Sequence, residues 1–180
     1  RNDRIFTDVV DTTGRVKFDL TGGGPINIRS VYEHSQRRGE NLDEALLISI
    51  SEKKSMRHYD IADRDRDRFT VLGSIAPVTN WSLNLSTAIR RDNFLNSDLG
   101  LRDNNHNVYS VGINGTPSDM VNLGLSYSYE DYKTKQMNNT GSSTTVIDLS
   151  KNFSTTGSDK VHSIIGNLDI MGIAERLDVH

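Results

Sequence analysis

The densest chemistry in the chain is the run Asp60-Ile61-Ala62-Asp63-Arg64-Asp65-Arg66-Asp67-Arg68, which carries four carboxylates. Carboxylates at that density could gather around Ca²⁺, but the run lacks the glycine and the terminal glutamate of an EF-hand loop. Its interleaved arginines read as a self-neutralised exposed loop. The five histidines, His34, His58, His106, His162 and His180, share no helical ligand spacing and form no HExxH. Gly22-Gly23-Gly24 is not followed by the Lys-Ser/Thr of a phosphate loop and reads as part of a tight turn, Thr21 to Pro25. There is no cysteine. That excludes disulfides, thiolate metal sites, iron–sulfur ligation and covalent haem attachment by this chain. No nucleophile, base or metal set converges, so the expected protein is not an enzyme and itself binds no cofactor or metal. Lys+Arg 21 against Asp+Glu 24 gives a net charge of −3 and no basic footprint for nucleic acid.

The elements that must position these side chains are strands. From Trp81 to Arg90, Trp81, Leu83, Leu85, Thr87 and Ile89 fall on one face, and Ser82, Asn84, Ser86, Ala88 and Arg90 on the other. From Val121 to Glu130, Val121, Leu123, Leu125, Tyr127 and Tyr129 oppose Asn122, Gly124, Ser126, Ser128 and Glu130. Strict alternation is the strand period; a helix would scatter these residues around its circumference. Each run follows a partner strand across a turn, Pro77-Val78-Thr79-Asn80 or Thr116-Pro117-Ser118-Asp119, and the two hairpins repeat with a spacing of 40 residues. Weaker alternation over Arg15–Leu20, Ile26–Glu33 and Ser163–Asp169 extends the pattern. A turn around Met171–Glu175 leads into a last strand, for eight strands in all. Leu42–Ile50 reads as either a short helix capped by Asn41 or Asp43 or another strand.

The fold class expected is all-β, an antiparallel up-and-down meander of about eight strands. The apolar face would be the core in a soluble sandwich and would meet lipid in a barrel. Hydrophobic residues are only 34% of the chain, few for a water-soluble core. Three features favour the barrel. Runs of about ten residues suit a tilted membrane strand. Short turns alternate with long polar connections at about 38–66, 92–106 and 133–158. Aromatics cluster at the long-loop ends (Phe69, Tyr109, Tyr127, Tyr129), with Trp81 beside a short turn. Trp81, Leu83, Leu85, Ile89, Val121, Leu123, Leu125 and Tyr127 are the lipid-facing candidates. Arg29, Ser82, Asn84, Ser86, Arg90, Asn122, Ser126, Ser128 and Glu130 are the candidates for the lumen wall. The whole of 1–180 reads as one segment of a single larger barrel domain.

Several segments resemble the MtrB/PioB family of decahaem-cytochrome-associated outer-membrane β-barrels. They are RNDRIFTDVVDTTGRV at 1–16, YDIADRDRDRF at 59–69, DNFLNSDLGLRD at 92–103, PSDMVNLGLSYSYEDYK at 117–133 and SDKVHSIIGNLDI at 158–170. The resemblance implies a barrel in a bacterial outer membrane that sheathes a multihaem c-type cytochrome in its lumen, the haem being carried by that partner. An extracellular cytochrome would be a further partner, and the bilayer surrounds the wall. Some members carry an N-terminal cysteine pair, which this chain lacks. Two other readings share the strand pattern: a diffusion porin or transporter barrel, and a soluble extracellular β-rich binding module.

The face assignment makes a direct prediction. Replacing Leu85 or Leu125 with Arg should cost about 2–4 kcal/mol near the bilayer midplane. We expect both variants to hinder insertion, read as loss of the heat-modifiable folded band in membranes; normal insertion of either would reverse the faces.

Overall fold

The computed structural model describes residues 6–21, 24–60, 62–173 and 177–179. The strands are β1 (Phe6–Thr21), β2 (Ile26–Leu42), β3 (Met56–Arg57), β4 (Asp63–Val78), β5 (Trp81–Leu95), β6 (Leu99–Ser118), β7 (Val121–Asn139), β8 (Asn152–Ile173) and β9 (Leu177–Val179). They form one sheet in the order β1-β2-β4-β5-β6-β7-β8-β9, each neighbouring pair antiparallel. This is the expected meander, and the sheet is open, with β1 and β9 paired on one side only. The short β3 lies off that path, parallel to β6.

The alternation works because the register is continuous. Residues paired across antiparallel strands lie on the same face. One row therefore runs Leu20–Ile28–Gly73–Leu85–Val111–Tyr127–Ile164 from β1 to β8. Ile75–Leu83–Ile113–Leu125 forms the row on its short-turn side. The 40-residue repeat extends to backbone irregularities: the register shifts between Ile75 and Val78 in one hairpin and between Gly115 and Ser118 in the other. Trp81 lies over Gly115, in the space a Cβ would need. Backbone bonds stitch neighbouring turns together, Ala76 N–H to Pro25 O (2.8 Å), Thr116 N–H to Asn80 O (2.9 Å) and Met171 N–H to Met120 O (2.8 Å). Gly22, Gly23 and 174–176, parts of the expected turns, lie outside the described residues.

The strands are longer than their apolar alternation. β6, β7 and β8 span 20, 19 and 22 residues, roughly 65–75 Å at about 3.4 Å per residue. The hydrocarbon layer needs only about 9–11 tilted residues. The connections expected at 38–66, 92–106 and 133–158 are accordingly corrected: they shrink to 43–62, 96–98 and 140–151, interrupted only by α1, β3 and a 3₁₀ turn. The reason is physical. Where both sheet faces meet water, no apolar–polar alternation is left for the sequence to carry, yet the backbone ladder continues. Asp60–Arg68 is corrected likewise, since from Asp63 onward it is the first part of β4.

Inside the first connection, Glu44–Ser49 forms helix α1, and the Asp43 carboxylate accepts from Leu46 N–H at 3.0 Å. The helix reading holds, with Asp43 as its cap. Leu47, Ala62, Phe94 and Leu99 are the buried apolar residues among those described, and they make a small cap at the long-loop end. Gly100 is fixed there by φ +112° and by the Arg57 carbonyl, which occupies the position of a Cβ. We expect Gly100→Ala to destabilise this cap by about 1–3 kcal/mol. Faster proteolysis within 43–62, with the membrane band intact, would show it.

Candidate functional site

The polar face divides into two zones. Within the band backed by apolar residues, its side chains on β5, β6 and β7 are mostly small, while Leu72 on β4 and Ile165 on β8 stand on the same face. Ser86, Ser110, Ser128 and Ser163 form one row, and Asn84, Gly112 and Ser126 the next. Ser86 Oγ and Ser110 Oγ share a hydrogen bond at 2.5 Å. Ser82 pairs with Asn114 and Asn122 with Asp169, nearer the short turns. Asn84, Ser86, Ser110, Asn114 and Ser126 line an open trough of about 530 Å³ that reaches Asp19 and Arg29. Those two side chains pair across β1 and β2, Arg29 Nε to Asp19 Oδ1, at 2.7 Å.

Towards the long connections the polar face becomes charged. The Asp-Arg alternation of β4 separates by sign, because successive side chains point to opposite faces. Arg64, Arg66 and Arg68 share the polar face with Glu33, Arg90 and Asp92; Asp65 and Asp67 point the other way. The arginines pair with neighbouring strands. Arg66 grips Asp92 in bidentate fashion, Nε–Oδ1 2.7 Å and Nη2–Oδ2 2.8 Å. Arg90 Nε stands 3.6 Å from the same carboxylate, whose side chain is 1% exposed. Arg15 Nε donates to Glu33 Oε1 at 2.8 Å, and Arg64 Nη2 lies 3.3 Å from Asp11 Oδ2. Burial, followed by the charges of Arg66 and Arg37, lowers the pKa of Arg64. On β6 and β7, His106 stacks on Tyr132 (3.9 Å between ring centroids), and both bind Glu130, Nε2–Oε2 3.1 Å and OH–Oε2 2.6 Å.

The structure thus places Arg29, Ser82, Asn84, Ser86, Arg90, Asn122, Ser126, Ser128 and Glu130 on one face. Trp81, Leu83, Leu85, Ile89, Val121, Leu123, Leu125 and Tyr127 lie on the other. Leu125 is 56% exposed and Ile164 75%, while Ser126 and Ser128 are half-buried. At the upper edge of the apolar band, Tyr109, Tyr129 and His162 form a row, their rings 6.4 Å and 5.0 Å apart. Above it on the same face, Asp67 accepts from Tyr32 OH (2.6 Å) and meets His34 Nδ1 (2.8 Å).

An antiparallel meander that exposes a band of aliphatic side chains edged by aromatics, and turns small polar groups to its other face, is built as β-barrel wall. The whole chain, residues 1–180, matches the family described as "Putative outer membrane beta-barrel porin, MtrB/PioB". The chain belongs to that family of outer-membrane β-barrels. No curated protein matches it.

Sequence reasoning missed Arg64, Arg66, Arg68, Asp92, His106 and Tyr132. The signal was present in β4, where Arg at every second position between Asp63 and Arg68 is itself a period-two pattern. Asp92→Ala would leave Arg66 and Arg90 facing each other without their shared carboxylate. We expect a loss of about 3 kcal/mol, the low end for a broken buried pair because Arg66 keeps some exposure; the denaturation midpoint of the full-length barrel reads it. The Tyr32 hydroxyl, then His34, lower the pKa of Asp67. A depressed carboxylate stabilises the fold above its unfolded pKa of about 3.9 and loses that contribution as pH falls through the folded value. Thermal stability should therefore fall below about pH 4, and less so in Asp67→Asn.

Proposed function

We propose that this chain is part of the wall of an outer-membrane barrel that holds and insulates a multihaem c-type cytochrome, so that electrons cross the membrane inside the sheath. The observation that carries this reading is the serine, asparagine and glycine lining of the polar face on β5, β6 and β7 behind the apolar band. Small side chains leave the interior unobstructed and allow a folded protein to approach the wall closely. The charged zone supports it further. Arg15, Arg37, Arg64, Arg66, Arg68 and Arg90 outnumber Asp11, Glu33, Asp92, Glu130 and Asp159 there by one, so the wall keeps a small cationic excess, with guanidinium donors left over after its own ion pairs, for the carboxylates of an acidic partner. In this reading the chain supplies no redox group. Its residues position the partner and exclude lipid from it, and the membrane is that of a bacterium.

The same arginines favour a second reading, an anion-conducting porin, because a basic ring selects anions. The two readings separate in one preparation of the full-length protein from detergent-solubilised membranes. The sheath reading expects a c-type haem spectrum co-eluting with the barrel, reduced when Ser110 and Ser126 are both replaced by Trp while insertion stays normal. A colourless barrel with anion-selective conductance would establish the porin reading instead.

A further inference from the structure

The outward face carries a second feature that neither reading uses. Immediately above the Tyr109–Tyr129–His162 row lies the row Asn107–Asp131–Lys160, and above that Arg91–Asn105–Lys133. Lys135 continues the column on β7, opposite Asp103 on β6, so that four cations stand against Asp131 and Asp103 in this sector. Lys160 and Lys135 are exposed and have no hydrogen-bond or ion-pair partner among the described residues. Lys133 is 56% exposed; its one partner, Asp131 at 3.3 Å, is itself only 13% exposed. Arg91 Nη1 donates to Asn107 Oδ1 at 2.8 Å, which holds the guanidinium over the patch. The surface offered outward is therefore cationic. Its charges stand on adjacent strands, with Lys133 and Lys160 as diagonal neighbours across β7 and β8, within reach of one another's long side chains.

At the same height on β2 and β4 the outward residues are different: His34, Gln36, Asp65 and Asp67, the last already bonded to Tyr32 and His34. The cations are thus gathered over one sector of the wall, β5 to β8, directly above aliphatic Val111, Ile113, Leu125 and Ile164. We propose that this sector is a binding site for a phosphorylated lipid headgroup of the outer leaflet. Its phosphate would be held between Lys133, Lys160 and Arg91, with Asn105 beside it, and its acyl chains would lie down the aliphatic band. Long lysine stems suit the place, since they cross apolar surface to put the charge at headgroup level. A phosphate offers several acceptor oxygens to donors converging from different strands. The inference rests on the barrel reading and on the long-loop end facing outward.

The test uses the full-length barrel reconstituted in phosphatidylcholine vesicles with and without lipid A, a bis-phosphorylated glucosamine lipid. Lipid retained through detergent extraction and washing is measured by native mass spectrometry. Wild type should retain lipid A, and K133Q/K135Q/K160Q should retain it at least about tenfold less. K17Q/K151Q, which removes two lysines elsewhere, should behave as wild type. Heat-modifiable mobility confirms folding of each variant. Equal retention by the triple variant would overturn the site. Orientation is read separately, by labelling S142C in whole cells with an impermeant maleimide. Labelling from outside supports the outer-leaflet assignment; labelling only after the membrane is breached overturns it, whatever the vesicles show.

Discussion

A backbone N–H or C=O that enters hydrocarbon must find its partner within the protein, because no water is available to replace one. Everything else in this chain follows from meeting that demand with antiparallel ladders. β4 pairs with β5 from Asp63–Leu95 down to Ile75–Leu83, and β7 with β8 from Asn139–Asn152 to Val121–Ile170. Once the ladders are continuous, every side chain is committed to one of two faces, and a single slip of register would exchange them. The low apolar content is then no deficit. Apolar side chains are needed on one face, over one band, and the four buried apolar residues among those described make a small cap outside it.

The same geometry accounts for the charges. In sequence, the alternating Asp and Arg of 63–68 look neutralised by their neighbours. In the sheet they are separated by its thickness, and each sign finds its counterpart across strands. Arg66 meets Asp92 on the polar face, and Asp67 meets Tyr32 and His34 on the other. This separation sets arginines on the polar face of β4 and carboxylates on its opposite face. It also leaves the outward surface uneven, acidic over β4 and basic over β7 and β8. Charge placement beyond the apolar band therefore gives the two faces, and different sectors of one face, different partners.

How much of this was legible in the sequence depended on whether the two faces differ in polarity. Over 81–90 and 121–130 they do, and strand position, face and turn could all be read from alternation. Above the band both faces are polar, and strand and loop look alike in composition; hence 92–106 reads as a loop although it is strand except for 96–98. The helix at Glu44–Ser49 was readable only as one of two options, because six residues give too few turns to establish a period. Asp92 and His106 were not legible as site residues, since their meaning lies in partners 26 and 24 positions away that only the register supplies.

The central claim is that the aliphatic face meets lipid and the serine-rich face lines the interior. Single-cysteine variants of the full-length barrel at Leu85, Leu125, Ser86 and Ser126, each carrying a fluorophore in vesicles, test it most directly. Brominated lipid should quench the label at 85 and 125 and leave 86 and 126 bright. Quenching at 86 and 126 instead, or water-borne quenchers reaching 85 and 125 as readily as lipid does, would contradict the account.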